Sequence, residues 1–495
     1  MSTLSKLHDG LPEPLKDRAV HLVAAFAAAY LLYWTAVIIY RLTFHPLAKY
    51  PGPLLCRIGW FYQTYFEAIL GGRMLERLPM LHEKYGPVVR INPGEVHIKD
   101  PVVFHEIFKH NTKFVKDRVA YTLGVPNALS MLFDIAVHRR RRETLNPCFS
   151  KRRVLMLEDL MYNELEQLLD RAADYIDKGK PVPIQDAYYC YTADVISAYL
   201  FGKSMDLINQ PNFGKQSVER LRSLTDNIWI LVHFGFIHKF VSALPRFVAT
   251  WLNETWQMAI LVEAEENARS GGLWRNRKPI KMGVNEIRDE SVGLLMAGTE
   301  TTATMLAYAT YYFLAFPEVQ AKVLSELGTL KKNELGRLSI QHIESLPYFT
   351  GYVKETLRFA HGVPGRLTRV VPEGGLYVPA IDNYIPAGTV VGMSHIMIHN
   401  DPEIFENPTE FRPERWMGEK GKKLDHWLLA FSKGSRDCVG MNLAYTEMHL
   451  VLANLFTRLE LTLVPGTHED MVWKDRAIVR NKDNLRVLAK FKDRR

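Results

Sequence analysis

One cysteine stands apart by its setting. The stretch Phe431-Ser-Lys-Gly-Ser-Arg-Asp-Cys-Val-Gly440 holds Cys438 in a glycine-punctuated loop, and an apolar segment rich in helix formers, Met441 to Phe456, follows it. Gly434 and Gly440 let the backbone approach something flat or bulky. The amides that open the following helix carry partial positive charge, which favours thiolate over thiol. A lone thiolate aimed at a close-packed planar ligand is how a protein holds a haem iron through sulfur. The plainer reading, a structural cysteine beside a helix cap, leaves Arg436 and both glycines without a reason.

A second stretch puts costly residues together. Ser291 to Phe316 is largely apolar, and inside it lies Ala297-Gly-Thr-Glu-Thr-Thr302. An unpaired buried carboxylate, here Glu300, costs several kcal/mol or shifts its pKa. Gly298 in a helix interior costs about 1 kcal/mol against Ala. Both costs at one spot point to a functional site; a structural acid in a buried salt bridge is the alternative. Two weaker signals follow in order. Glu355-Thr-Leu-Arg358 alone would read as a surface ion pair, and Pro413-Glu-Arg-Trp416 offers an arginine that can fork to a carboxylate. Upstream, His138-Arg-Arg-Arg-Arg142 sets His138 and Arg142 on one helix face, with Arg139 to Arg141 fanning outwards.

Together these motifs resemble the cytochrome P-450 family, the haem-thiolate monooxygenases. The resemblance implies Cys438 as the axial iron ligand and Arg436 as a propionate partner, with Phe431 packed near the sulfur. It counts Gly434, Gly440 and Ala297 among the haem contacts. It makes Glu300 and Thr301 an acid–alcohol pair across the haem face, serving proton delivery. Glu355, Arg358 and Arg415 match the family's structural triad. Arg369, in Val363-Pro-Gly-Arg-Leu-Thr-Arg369, matches a further propionate ligand, as does Arg142. The family usually has Trp where this chain has His138, so His138 inherits that contact by position only. Asp437 falls outside the motif. Phe44 to Pro53, His138 to Ser150 and Asn442 to Glu447 resemble fungal secondary-metabolism members of the trichodiene-oxygenase type.

These motifs must be positioned by one large unit. The 495 residues contain 47% hydrophobic residues, ample for a large core, and show no low-complexity linker or internal repeat. Four scattered cysteines suit a reducing compartment and lack zinc spacing. The net charge of +8 fits a membrane surface or an acidic partner, since no nucleic-acid motif accompanies it. Leu22 to Tyr40 is apolar at every position but Thr35, which reads as an uncleaved membrane-spanning helix. The expected organisation is a tail (1–18), a transmembrane anchor (19–41) contributing nothing to the core, a proline-rich hinge (42–53) and a catalytic domain (54–495). Val88 to Lys99 reads as a hairpin around Asn92-Pro-Gly94. Ile228 to Trp251 is aromatic and apolar; ordinary core is one reading, and the resemblance implies a substrate-channel lid.

The expected fold is therefore mainly α with a small β portion. The expected function is oxidation of a lipophilic secondary metabolite, such as a terpenoid, by a haem b monooxygenase on the endoplasmic reticulum, with a cytosolic catalytic domain. Nothing resembles a flavin or nicotinamide site, so electrons from NADPH imply a flavoprotein reductase partner. The rivals are a haem-thiolate isomerase or peroxygenase that needs no reductase, and a non-catalytic haem-binding sensor.

Overall fold

The computed structural model describes residues 13–119, 125–226, 228–235, 273 and 282–492. The first helix, α1 (Glu13–Thr43), contains the apolar run. Its part Val20–Thr43 is long and apolar enough to cross a membrane, and no residue of its apolar window is buried in the protein; at 1.5 Å per residue it spans about 36 Å. Its last turn is not independent of the rest, contrary to expectation. Arg90, fully buried, donates to the carbonyl of Arg41 at 2.9 Å. Arg57, on the short helix α2 (Leu54–Ile58), donates to the carbonyls of Leu42 and Ala48. The expected hinge lies along a strand: the Arg90 amide donates to Pro51 O, and a Cβ on Gly52 would fall 2.2 Å from Arg90 O.

The main sheet has five short strands: β1 (Val88–Asn92), β2 (Glu95–Ile98), β3 (Val115–Lys116), β4 (Arg369–Val370) and β5 (Val390–Gly392). Their order is β1-β2-β5-β4-β3. β1 and β2 form the antiparallel hairpin expected around Asn92-Pro93-Gly94. β2 runs parallel to β5, and β4 lies antiparallel to both β5 and β3. In the last pair Lys116 sits opposite Arg369. Like charges directly across a ladder repel; here Lys116 turns to the Ser130 carbonyl and Arg369 to those of Leu367 and Thr368.

The helical part carries the core. α3 (Ile135–Leu145), α4 (Ile184–Phe201), α5 (Pro211–Asp226), α6 (Ile228–His233), α7 (Val284–Ala315), α8 (Pro347–Ala360) and α9 (Met441–Arg458) are the elements that matter here. α4 and α9 pack against α7, and Phe313 of α7 stacks on Phe456 of α9 at 3.7 Å between ring centroids. α7 begins seven residues before Ser291, because its charged first turns find partners. Glu286 accepts from the Gly283 amide, and Arg141 pairs with Glu286 at 2.5 Å and Glu290 at 3.0 Å. Gly298 has a packing reason: a Cβ there would lie 2.9 Å from Cγ1 of Ile196 on α4. A two-stranded ribbon, β6 (Trp473–Asp475) with β7 (Val479–Asn481), follows near the C-terminus. Of the aromatic stretch expected as a lid, residues 236–251 lie outside the described residues. The described part, α6, is held by Trp229 Nε1 donating to Asp475 O and by His233 bonded to Glu67.

Candidate functional site

The loop that carries Cys438 is built by local constraints. Gly434 has φ +72°, and a Cβ on it would collide with Phe108 O at 2.2 Å; only glycine fits there. A 3-10 turn, Gly434–Arg436, brings the chain round, and the Cys438 amide donates to Phe431 O at 2.9 Å. The Phe431 ring leans on Tyr445 of α9. Gly440 caps α9 with an ordinary backbone, and a Cβ on it would sit 4.0 Å from the Cys438 sulfur.

Cys56, Cys148 and Cys190 are buried, whereas Cys438 is exposed. Yet burial pushes the Cys438 thiol up, opposed by the Gly440 amide and Arg142. The side chain is thus reachable from outside, while the loop packed around the sulfur crowds it on its other sides. α7 presents a comparable surface. Thr299, Glu300 and Thr302 to Thr310 are buried, but Ala297 is exposed and Thr301, one turn on, is half-buried. The Thr301 hydroxyl donates to Ala297 O at 2.7 Å.

Glu300 does not share that face. Adjacent residues on a helix point about 100° apart, and Glu300 turns towards the C-terminal ribbon. Its carboxylate lies 2.7 Å from Arg480 on β7 and 4.0 Å from Arg222 on α5. Arg480 also meets Asp226, at the end of α5, at 3.0 Å. The structural alternative for this acid thus describes its position in this structure, and the expected pair across one face is not what the side chains form.

A second group of sequence-selected residues converges on His138. Burial, then Arg436, Lys116, Arg142 and Arg369, push this histidine down to about 3. Burial, Arg369 and Arg436 likewise push Lys116 well below the usual lysine range. Arg436 donates to the carbonyls of Leu132 and Phe133, Arg369 to those of Leu367 and Thr368, and Lys116 to that of Ser130. A carboxylate-bearing group, such as the expected haem, fits this donor set. Arg142 departs from expectation: its guanidinium grips Asp437 through the main-chain and side-chain oxygens, both at 2.5 Å. That explains Asp437, which the motif left over. Arg139 and Arg140 face outwards, but Arg141 turns in to α7, against expectation. A surface pocket of about 310 Å³ between α3 and the loop is lined by His138, Arg139, Arg142 and Arg436. It borders neither Cys438 nor Thr301.

Behind the loop, the structure brings Glu355, Arg358 and Arg415 together. Glu355 is fully buried and accepts from Arg358 at 2.9 and 3.0 Å and from Arg415 at 2.9 Å. Trp416 Nε1 and the Arg412 amide complete its shell. His399 then links this cluster to the loop, with Nδ1 at the Arg358 carbonyl and Nε2 accepting from the Leu429 amide. Sequence reasoning missed Lys116 and Arg480. Neither has a local signal: Lys116 gains its setting from pairing with Arg369, and Arg480 from the distant carboxylates of Glu300 and Asp226.

A family model described as Cytochrome P450 matches residues 51–489. The chain is 33% identical over 508 residues to "Cytochrome P450 monooxygenase BOT1" of Botryotinia fuckeliana, covering 97% of this chain and 98% of that one. It is 31% identical to "Cytochrome P450 monooxygenase aneF" of Aspergillus aculeatus, covering 90% and 95%. It is 33% identical to "Cytochrome P450 monooxygenase TRI4" of Fusarium sporotrichioides, covering 91% of each.

Proposed function

The chain belongs to the cytochrome P450 family and is a haem-thiolate monooxygenase; from that premise we propose that it oxidises a lipophilic secondary metabolite, such as a terpenoid, at the face of α7 left open by Ala297 and Thr301. The observation that carries this reading is the Cys438 thiol, exposed at the head of α9 yet crowded by its own loop. When bound there, haem supplies the oxygen-activating chemistry. Cys438 would hold the iron through its sulfur; burial holds its thiol up, and binding a metal there would favour the thiolate. Arg142 and Asp437 brace the loop. Arg369, Arg436 and Lys116, with His138 among them, receive the carboxylates.

The Thr301 hydroxyl can donate and accept. It holds a proton at the open face while the apolar helix keeps bulk water out. Glu300 serves as the deeper acid and reaches that face only by leaving Arg480. Glu355, Arg358 and Arg415 hold the polypeptide behind the loop in place. The electrons come from an NADPH-fed flavoprotein reductase that docks on the basic surface around Arg139 and Arg140. Val20–Thr43 crosses the endoplasmic reticulum membrane with the catalytic domain in the cytosol.

Two measurements test this. The reduced carbon monoxide complex should show the red-shifted Soret band of thiolate ligation, and Cys438→His should lose it; a normal band in that variant refutes the assignment. NADPH consumption driven by added reductase and substrate should separate a monooxygenase cycle from an isomerase, a peroxygenase or a sensor, none of which would consume it.

A further inference from the structure

Three histidines gather where α8 ends. His361 caps that helix with a left-handed backbone, φ +61°, a conformation that a residue other than glycine holds only under constraint. His395 and His399 stand at the two ends of the short helix His395–His399, four residues apart and so on one face. One ring nitrogen from each of the three lies within 4.8 Å of those of the other two. Trp473 meets His361 edge-on and Phe405 meets His399 likewise, at 5.7 and 6.0 Å between ring centroids. His399 is fully buried and His395 is 2% exposed, while His361 keeps an edge within reach of solvent.

Buried polar atoms are almost always hydrogen-bonded. Nδ1 of His361 and Nδ1 of His395 are buried with no hydrogen-bond partner among the described residues. His395 Nε2 donates to His361 O at 3.1 Å, which leaves the lone pair on its Nδ1. A second nitrogen tied to a carbonyl is how proteins orient a metal-binding imidazole. Burial, then His395 and Arg358, push His361 down to about 3; burial pushes His395 down to about 4 and His399 well below the usual histidine range. No proton therefore competes for these nitrogens at neutral pH. Arg358, the cation beside them, is already paired with Glu355 at 2.9 Å.

We propose that His361, His395 and His399 form a site for a transition-metal ion of the zinc class, held through imidazole nitrogen. Such ions take neutral imidazole at about 2.0–2.1 Å, where magnesium and calcium prefer oxygen. The rings close in on binding, and water entering at the open edge of His361 completes the shell. His399 gives the site its consequence. Its Nδ1 meets Arg358 O and its Nε2 accepts from the Leu429 amide. If Nε2 takes the ion, the lone pair that accepted from Leu429 is spent. If Nδ1 takes it, the Nδ1 proton moves to Nε2, which can then no longer accept. Either way the ion breaks the bond to Leu429 and loosens the approach to the cysteine loop.

The test uses untagged, full-length holoenzyme stripped of loose metal and titrated with zinc chloride, with bound zinc counted after gel filtration. One ion per chain is expected, not displaced by excess magnesium. His395→Gln keeps a donor for His361 O and should weaken zinc binding by at least the roughly 10- to 100-fold that loss of an outer partner costs. His361→Gln, at the partly exposed ring, should do the same. His342→Gln, an exposed histidine outside the cluster, should leave binding unchanged. Zinc should also speed hydrogen exchange of the Leu429 amide in the natural protein and in neither cluster variant. The thiolate carbon monoxide band, recorded before zinc is added, confirms that each variant is folded; where one variant loses it, the other variant and the exchange at Leu429 in the natural protein decide. No bound zinc, zinc displaced by magnesium, or zinc retained by the cluster variants would overturn the site. Zinc bound with unchanged exchange at Leu429 would overturn the part given to His399.

Discussion

Replacing Lys116 with methionine should have two effects of opposite sign. Methionine keeps most of the aliphatic volume and removes the ammonium. In the haem-free protein, Lys116 faces Arg369 across β3 and β4, with Arg436 near enough to depress it. A like-charge pair directly across a ladder costs up to about 1 kcal/mol, so Lys116→Met, which also gives up the bond to Ser130 O, should raise the stability of haem-free protein by less than that amount. In the haem-bound protein the same ammonium makes a charge-assisted contact with a carboxylate. Such contacts contribute about 1.5–3 kcal/mol, so their loss should weaken haem retention by roughly 10- to 150-fold. Urea unfolding of the haem-free protein reads the first effect. Haem transfer to an excess of scavenging globin reads the second. Faster haem loss without stabilisation would mean that the cations do not repel one another. Unchanged haem loss would remove Lys116 from the cofactor site and refute the reasoning.

Thr301→Ala should keep haem and the thiolate band but divert reducing equivalents to peroxide, with less product per NADPH; Thr301→Ser should recover much of the coupling, and a fully coupled alanine variant would make Thr301 only a helix-bending residue. Arg140→Glu should slow the first electron transfer from the reductase, more at low salt where screening is weak, and unchanged reduction kinetics would leave a merely solvated face. Burial, then Glu67, push Asp475 up to about 7, so the native state binds this proton more tightly than the unfolded chain. Its stabilisation, roughly 4 kcal/mol, is complete below the unfolded pKa near 4 and lost as pH rises through about 7. Asp475→Asn should flatten that part of the stability curve, and an unaltered slope between pH 4 and 8 would place the titration elsewhere.

What the sequence made legible was local. The Cys438 loop, the Glu355–Arg358 spacing and the apolar run of α1 each lie within a few turns of chain, where residue type and interval carry the signal. Glu300 shows the limit. Its cost as an unpaired acid was a sound inference, but that cost is partly offset once Arg480 arrives from β7, 180 residues away. Gly298 likewise looked like a site feature until Ile196 of α4 supplied a packing reason. Arg142 and Asp437 form one pair, yet nothing in either local pattern announces the other. The short strands were equally hard to read: β3 and β4 have two residues each, too few for alternation to register.

The C-terminal ribbon has a consequence for the order of synthesis. Arg480 supplies the partner of Glu300, Asn481 that of Tyr308, and Asn484 and Leu485 bond to Asp186 and Gln185 at the head of α4. The two helices at the centre of the core therefore wait for the last stretch of chain to be made. At about 5–20 residues per second, the 180 residues from Glu300 to Arg480 take roughly 10–40 s. Throughout that interval α1 has long since left the ribosome, while Glu300 has Arg222 at hand but still lacks Arg480. The centre of the core is thus completed late, by a stretch made some 180 residues after the helix it closes on.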